Sequence, residues 1–195
     1  MLTPPEQDLQ KLFDEQAIAR LEPLCCRAVD RLDAELLRSL FHPDGVEQRG
    51  GDPVPVHAAA DAIMDGLRGL FISTHHTVTQ AVIDIDGDDA SSESYYLSTV
   101  IASGGPDSIE RVFGDRYAAD AERAGTIDRP HEIRTGGRYL SRYTRHGGRW
   151  VFVHRLVVVE WNRCEVSLGH YDGGLLCGLN RSGTRDRTDP VYRLR

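Results

Sequence analysis

The sequence predicts an α+β fold, with N-terminal helices packed on one face of a curved, mainly antiparallel sheet. Three observations carry this. Apolar residues recur at helical spacing through the first part of the chain. After "THHTVTQ" the spacing changes to alternation, and the alternating stretches pair around glycine turns, "DGD" and "HGG". Helices first and hairpins after is the order expected when helices cover one side of a sheet. The concave side is then free to enclose a pocket.

Residues 6–22 read as a helix, with Leu9, Leu12, Phe13 and Ile18 at helical spacing, until Pro23 breaks, kinks or restarts it. From Leu24 the stripe continues through Cys25, Ala28, Val29, Leu32 and Leu36. It centres near Leu32 and leaves Asp30 on the opposite side. "HPDG" reads as a closing turn, with a short strand around "GVEQR". Residues 56–71 form a second helical block, with Ala60, Ile63, Met64, Leu67 and Leu70 on one side. "HHTVTQAVIDI" is predicted as one strand, "ASSESYYLSTVIA" as its return, and "GGRYLSRYTR" with "RWVFVHRLVVVEW" as a second hairpin. The last strand is apolar on both faces, which predicts a central strand buried on both sides. Residues 104–132 read as a helical insertion between the hairpins, and 164–195 as a polar C-terminal extension to a domain spanning 1–163.

The chain has 195 residues, enough for one domain with a substantial core. Its net charge of −7 argues against nucleic acid as the main partner, since phosphate contact needs a basic surface. No apolar run is long enough to span a bilayer, and "MLTPPEQDLQKLFDEQ" lacks the basic and apolar regions of a secretory signal. The four cysteines, Cys25, Cys26, Cys164 and Cys177, make no CxxC and a poor disulfide framework, so reduced thiols and a cytoplasmic location are expected. Metal-ligand spacing is absent, since neighbouring histidines in a strand point to opposite faces, and no glycine-rich loop links a strand to a helix. No metal and no cofactor are expected.

Three stretches in this order, "AVDRLDAELLRSLFHPDGV", "THHTVTQAVIDIDGDDASSESYY" and "GGRYLSRYTRHGGRWVFVHRLVVVEW", resemble the SnoaL-like branch of the NTF2-like superfamily. The resemblance covers about residues 10–162. It implies a cone of helices and strongly bent sheet around an apolar cavity, a small hydrophobic or aromatic substrate, and a homo-oligomer, dimer or trimer. Family members that dehydrate scytalone or dehydrochlorinate hexachlorocyclohexane use an Asp–His dyad without cofactor. Their pattern maps onto Asp30, in its "VD" context, and onto His76, four residues before Gln80. It also maps an arginine onto Arg155, five residues after Trp150, and a lysine onto Cys25. The lysine's replacement by cysteine argues against dehydrochlorination.

Each position also has a plainer reading. Asp30 on a helix and His76 on a mostly apolar strand face are ordinary polar residues unless they meet. If they meet, the carboxylate fixes the imidazole tautomer and leaves the other ring nitrogen to take a proton. His75 faces the other way and reads as structural, and Asp33 as a solvated residue or local cap. Arg155 is either a donor to an oxyanion or leaving group, or half of a buried ion pair with Glu93 or Asp30. Glu93, Tyr95, Tyr96, Gln80 and Cys25 are the candidate substrate contacts. The expected function is a cofactor-independent lyase, either a dehydratase or a retro-aldol, deformylating enzyme. The alternatives are an isomerase, a polyketide cyclase, a ligand-binding protein, or a non-catalytic subunit like the beta subunits of ring-hydroxylating dioxygenases.

Overall fold

The computed structural model describes residues 4–169, 173–179 and 183–194. The chain runs α1 (Pro4–Ala19), α2 (Leu21–Asp30), α3 (Ala34–Leu40), β1 (Phe41–Gln48), β2 (Val54–Pro55) and α4 (Val56–Leu70). It continues with β3 (Ser73–Val78), β4 (Val82–Asp86), β5 (Asp89–Ala102), α5 (Pro106–Phe113), α6 (Asp115–Arg123), β6 (His131–His146) and β7 (Arg149–Val166). Two short 3-10 turns, Gly174–Gly178 and Pro190–Arg193, follow in the tail. No helix among the described residues is long and apolar enough to cross a membrane.

The break between the first two helices falls at Arg20, and Pro23 lies in the first turn of α2. A proline costs little there, because first-turn N–H groups have no partner inside the helix. The end of α2 decides where Asp30 points. Asp33 N–H donates to Ala28 O at 2.8 Å and Leu32 N–H to Val29 O at 3.3 Å, with Leu32 at φ +52°. This is a Schellman stop, with a leucine where glycine is usual. The helix therefore ends at Asp30, and Leu32 and Leu36 lie outside it. The stripe centred on Leu32 was an artefact of running two helices together. Asp33 is no solvated residue: it is 5% exposed and caps α3 by accepting from Leu36 N–H at 3.0 Å.

The seven strands are ordered β2-β1-β7-β6-β5-β3, with β4 also paired to β5. All pairings are antiparallel except β1 with β7. "HPDG" does not close a turn. It lies inside β1 as a bulge, where Phe41 pairs with Phe152 and Val46 with His154. The single strand expected after His75 is two, because Thr79–Ala81 leave the ladder between the Val78↔Tyr96 and Val82↔Glu93 pairs. The expected hairpin turns form; at the second, Gly147 and Gly148 both take positive φ, as a two-residue type I′ loop requires.

Register shifts at Gly136/Gly137 and Arg142/Tyr143 bend the β6–β7 pair. At the first, a Cβ on Gly137 would sit 2.0 Å from the Val158 carbonyl oxygen, so only glycine allows that approach. β7 is central, but it is buried on both faces only from Trp150 to Phe152. β1 ends at Gln48, opposite Leu156; beyond it β7 loses its neighbour, and Val159 and Trp161 are exposed.

The main core joins α1, α2, α3 and α4 to the sheet through Ile18, Ala28, Leu37, Met64, Trp150 and Phe152. Burying a side chain such as Phe152, at 0% exposure, contributes roughly 1.5–3 kcal/mol. A smaller cluster of Cys26, Tyr96 and Tyr139 lies apart from it. The insertion folds as α5 and α6 around buried His131, whose ring nitrogens meet Tyr117 OH at 2.8 Å and Thr126 O at 2.9 Å. The last described segment of the tail, from Arg185 to Tyr192, packs back onto the helices. Tyr192 OH donates to Asp33 Oδ2 at 2.7 Å, and Arg31 pairs with Asp189 at 3.1 Å.

Candidate active site

Asp30 is the last residue of α2 and His76 the fourth of β3. The fold brings them together. His76 Nδ1 lies 2.7 Å from Asp30 Oδ1, and the His76 backbone N–H donates to Oδ2 at 3.0 Å. One carboxylate thus holds both the ring and the strand that carries it. A carboxylate at a helix C-terminus meets the unfavourable end of the helix dipole; the two hydrogen bonds from His76 offset that cost. With Asp30 ionised, Nδ1 carries the proton and Nε2 keeps its lone pair. Among the described residues Nε2 has no hydrogen-bond partner.

His76 lines a cavity of about 210 Å³ inside the cone, together with Val29, Tyr96, Tyr139 and Val157. Its wall is largely apolar, with Thr74, Ser98, Thr135 and Arg49 as polar exceptions beside His76 and the tyrosines. On its other side the dyad borders an outer groove of about 460 Å³, which Asp30, Arg31, His75 and Val191 line. His76 lines both volumes, with its Nδ1 bonded to Asp30. A larger groove, about 650 Å³ between α2, α3 and the tail, is lined by neither Asp30 nor His76. His75 is exposed, on the outer face.

Several expected contacts fall elsewhere. Arg155 pairs with neither Glu93 nor Asp30. Its Nε donates to Glu22 Oε2 at 2.8 Å, its Nη1 to Glu47 Oε1 at 2.5 Å, and its guanidinium stacks 3.8 Å over the Tyr139 ring. It is 2% exposed and does not line the cavity, and its Nε and Nη1 are committed before any substrate arrives. Glu93 and Tyr95 are also displaced, because the inner face of β5 belongs to Ser92, Ser94, Tyr96 and Ser98. Glu93 binds Arg138 at 3.2 Å, and Tyr95 is 56% exposed. Gln80 lies in the break between β3 and β4 and lines a surface groove. Cys25 is 1% exposed in the helix–sheet core, where burial pushes its thiol well above its ordinary range. Of the five candidate contacts, Tyr96 lines the cavity, stacked on Tyr139 at 4.3 Å.

Reasoning from sequence missed Glu22, Glu47, Arg49, Thr74 and Tyr139. Glu22 had a signal: it stands three and four residues before Cys25 and Cys26, on a buried face of α2, and a buried arginine in an apolar strand needs such a partner. Thr74 shares a strand face with His76 by alternation alone. Burial by itself would push the Glu47 carboxyl up. The charges of Arg49 and Arg155, with their hydrogen bonds, overturn that and hold it down to about 2.

The model of the SnoaL-like domain family matches residues 10–156. The chain belongs to this family. Solved structures with the same cone include a type 2 hexachlorocyclohexane dehydrochlorinase, LinA (TM-score 0.65, 17% identity, 84% of this chain and 96% of that one). A scytalone dehydratase candidate from Novosphingobium aromaticivorans aligns with TM-score 0.60 and 18% identity over 82% of this chain and 96% of its own. The Kfla4162 protein from Kribbella flavida gives 0.61 and 18% over 78% and 95%. At these identities the likeness is one of fold. No protein of curated function matches the sequence. The SnoaL-like assignment accounts for the bent sheet and the cavity.

Proposed function

We propose that this SnoaL-like protein is a cofactor-independent lyase whose base is His76, oriented by Asp30. The observation that carries the reading is the 2.7 Å contact between Nδ1 and the Asp30 carboxylate, with Nε2 unpartnered on a ring that lines the cavity. In the dehydratase form, Nε2 takes a proton from the carbon next to the one bearing the hydroxyl. The C–H electrons form the new double bond as the C–O bond breaks. The departing hydroxide takes the proton back from the imidazolium and leaves as water. Asp30, beside the ring throughout, offsets the imidazolium charge. In the retro-aldol form the same nitrogen takes a hydroxyl proton, the C–C bond breaks to release formaldehyde, and the carbon that keeps the electron pair takes the proton back from the imidazolium.

The cavity size selects among substrates. A cavity of about 150 Å³ holds benzene, so 210 Å³ suits one ring with short substituents. Diarylpropane diols, with two rings, exceed it. The structural neighbours include a dehydrochlorinase and a dehydratase candidate, which supports lyase chemistry in general. Position 25, where a lysine would assist a departing chloride, holds a buried cysteine, which favours loss of water over loss of chloride. The non-catalytic alternative expected Asp30 and His76 to lie apart, and their contact counts against it.

The test is a panel of single-ring alcohols bearing an acidic C–H beside the carbinol, followed by mass spectrometry for loss of water or formaldehyde. Wild-type protein should convert at least one, and His76→Ala and Asp30→Asn should not. Equal turnover by wild type and His76→Ala, with both folded by circular dichroism, would falsify the reading.

A further inference from the structure

The cavity holds one cation that is not fully committed, and it is not Arg155. Arg49 follows directly after β1. Its Nε donates to Glu47 Oε2 at 2.8 Å and its Nη2 to Glu47 Oε1 at 3.3 Å. A guanidinium has five N–H groups, and among the described residues Nη1 has no partner. Arg49 feels the charges of Glu47, which favours its charged form, and of Arg155, which opposes it. Its side chain is 46% exposed, and part of that surface is wall of the cavity. Its charge also reaches the Tyr96 phenol: burial raises that group's pKa and Arg49 opposes the rise.

A second, independent observation lies on the same wall. Thr74 is 5% exposed, lines the cavity two residues before His76, and its Oγ1 has no hydrogen-bond partner. A buried hydroxyl without a partner is costly, and its presence in a folded protein calls for an explanation. Sequence alternation puts Thr74 on the face of His76. The sheet then brings both to the cavity that Arg49 enters from the far edge.

We infer that Arg49 and Thr74 form the subsite that receives the substrate's oxygen. The substrate is a neutral single-ring molecule whose carbonyl or hydroxyl oxygen gains negative charge as His76 takes the proton. Glu22 and Glu47 are matched by Arg155 and Arg49, and Asp30 is paired with His76. Proton transfer to His76 then balances Asp30 and moves the negative charge onto the substrate oxygen, for which Arg49 on the cavity wall has donors beyond those bound to Glu47. Oxyanion stabilisation by a charged donor in a dry site is a large contribution to such reactions.

The inference rests on the His76 reading for its catalytic meaning, and its test does not. 4-Nitrophenol is a single-ring probe whose phenol and phenolate forms differ in visible absorbance. The wild-type protein should bind the phenolate more tightly than the phenol. Arg49→Gln should weaken phenolate binding at least about 10-fold with little effect on the phenol, and Arg49→Lys should restore part of it. Thr74→Val should weaken phenolate binding by about 3- to 10-fold while leaving the melting temperature unchanged or raised, because it removes an unpaired hydroxyl without changing shape. His76→Ala should still bind phenolate through Arg49. Failure of the dyad reading would appear as retained turnover in that variant. Failure of the present one would appear as equal phenolate affinity in wild type and Thr74→Val, or as no phenolate preference in wild type. If Arg49→Gln does not fold, the Lys and Val variants still decide it.

Discussion

Two buried ionic clusters share the interior of this protein, and they differ in what they leave free. Around Arg155, two carboxylates, one guanidinium and the Tyr139 ring close on one another, with Ser141 Oγ donating to Glu22 at 2.6 Å. Around Asp30, one carboxylate meets one imidazole, and a ring nitrogen remains without a partner beside an empty volume. A closed cluster has desolvated its charges and spent its hydrogen bonds, so it can only hold elements together, here α2, β1 and β7. An open one holds a proton acceptor in a fixed direction. Burial alone does not separate scaffold from chemistry; the unpaired atom does.

The comparison is broken most directly at its two centres. His76→Ala should lower turnover of any converted substrate by about 10²–10⁴-fold, the range of a positioned general base, with a melting temperature close to wild type. Loss of folding together with activity would make His76 part of the scaffold instead. Arg155→Ala should do the reverse. It strands Glu22 and Glu47 as buried carboxylates without their cation, at a cost of about 3–5 kcal/mol. Thermal melts should show a fall of about 10 °C, since each kcal/mol is worth roughly 2–4 °C in a chain of this size. A folded, stable Arg155→Ala protein with lost activity would return that arginine to the reaction.

Acid separates the clusters more gently. Glu47 has its carboxyl depressed from an ordinary 4.5 to about 2. Its contribution to stability is therefore complete above pH 4.5 and is lost as pH falls through 2. Denaturant midpoints measured across that window should decline in wild type and decline less in Glu47→Gln, which starts from lower stability; parallel slopes would remove Glu47 from the acid response. The smallest effect belongs to the outer face. Tyr95→Phe and Gln80→Ala lie away from the cavity and should leave turnover within about two-fold and stability within roughly 0.5 kcal/mol, as assayed side by side with wild type.

The legible part of this protein was its periodicity. The helical stripe of α4, the alternation of β5 and the two glycine turns needed only local geometry, and the meeting of Asp30 with His76 was expected from a motif resemblance. Periodicity misled where an element ended without a glycine or proline to announce it. α2 stops at a leucine in the left-handed conformation, so Leu32 was read as the centre of a helix it does not join. The break at Thr79–Ala81 was hidden for the same reason, since alternation continues across it.

Local spacing thus determined which elements form and which side chains share a face, because those follow from the 3.6- and 2-residue repeats of the backbone. It put His75 and His76 on opposite faces and separated Tyr95 from Tyr96. Which opposite charges meet was decided only by the tertiary structure. Arg155 takes Glu22 from 133 positions away and Glu47 from 108, through a parallel pairing and a helix crossing that leave no local trace. That choice commits Arg155 to the fold and leaves Arg49 facing the cavity.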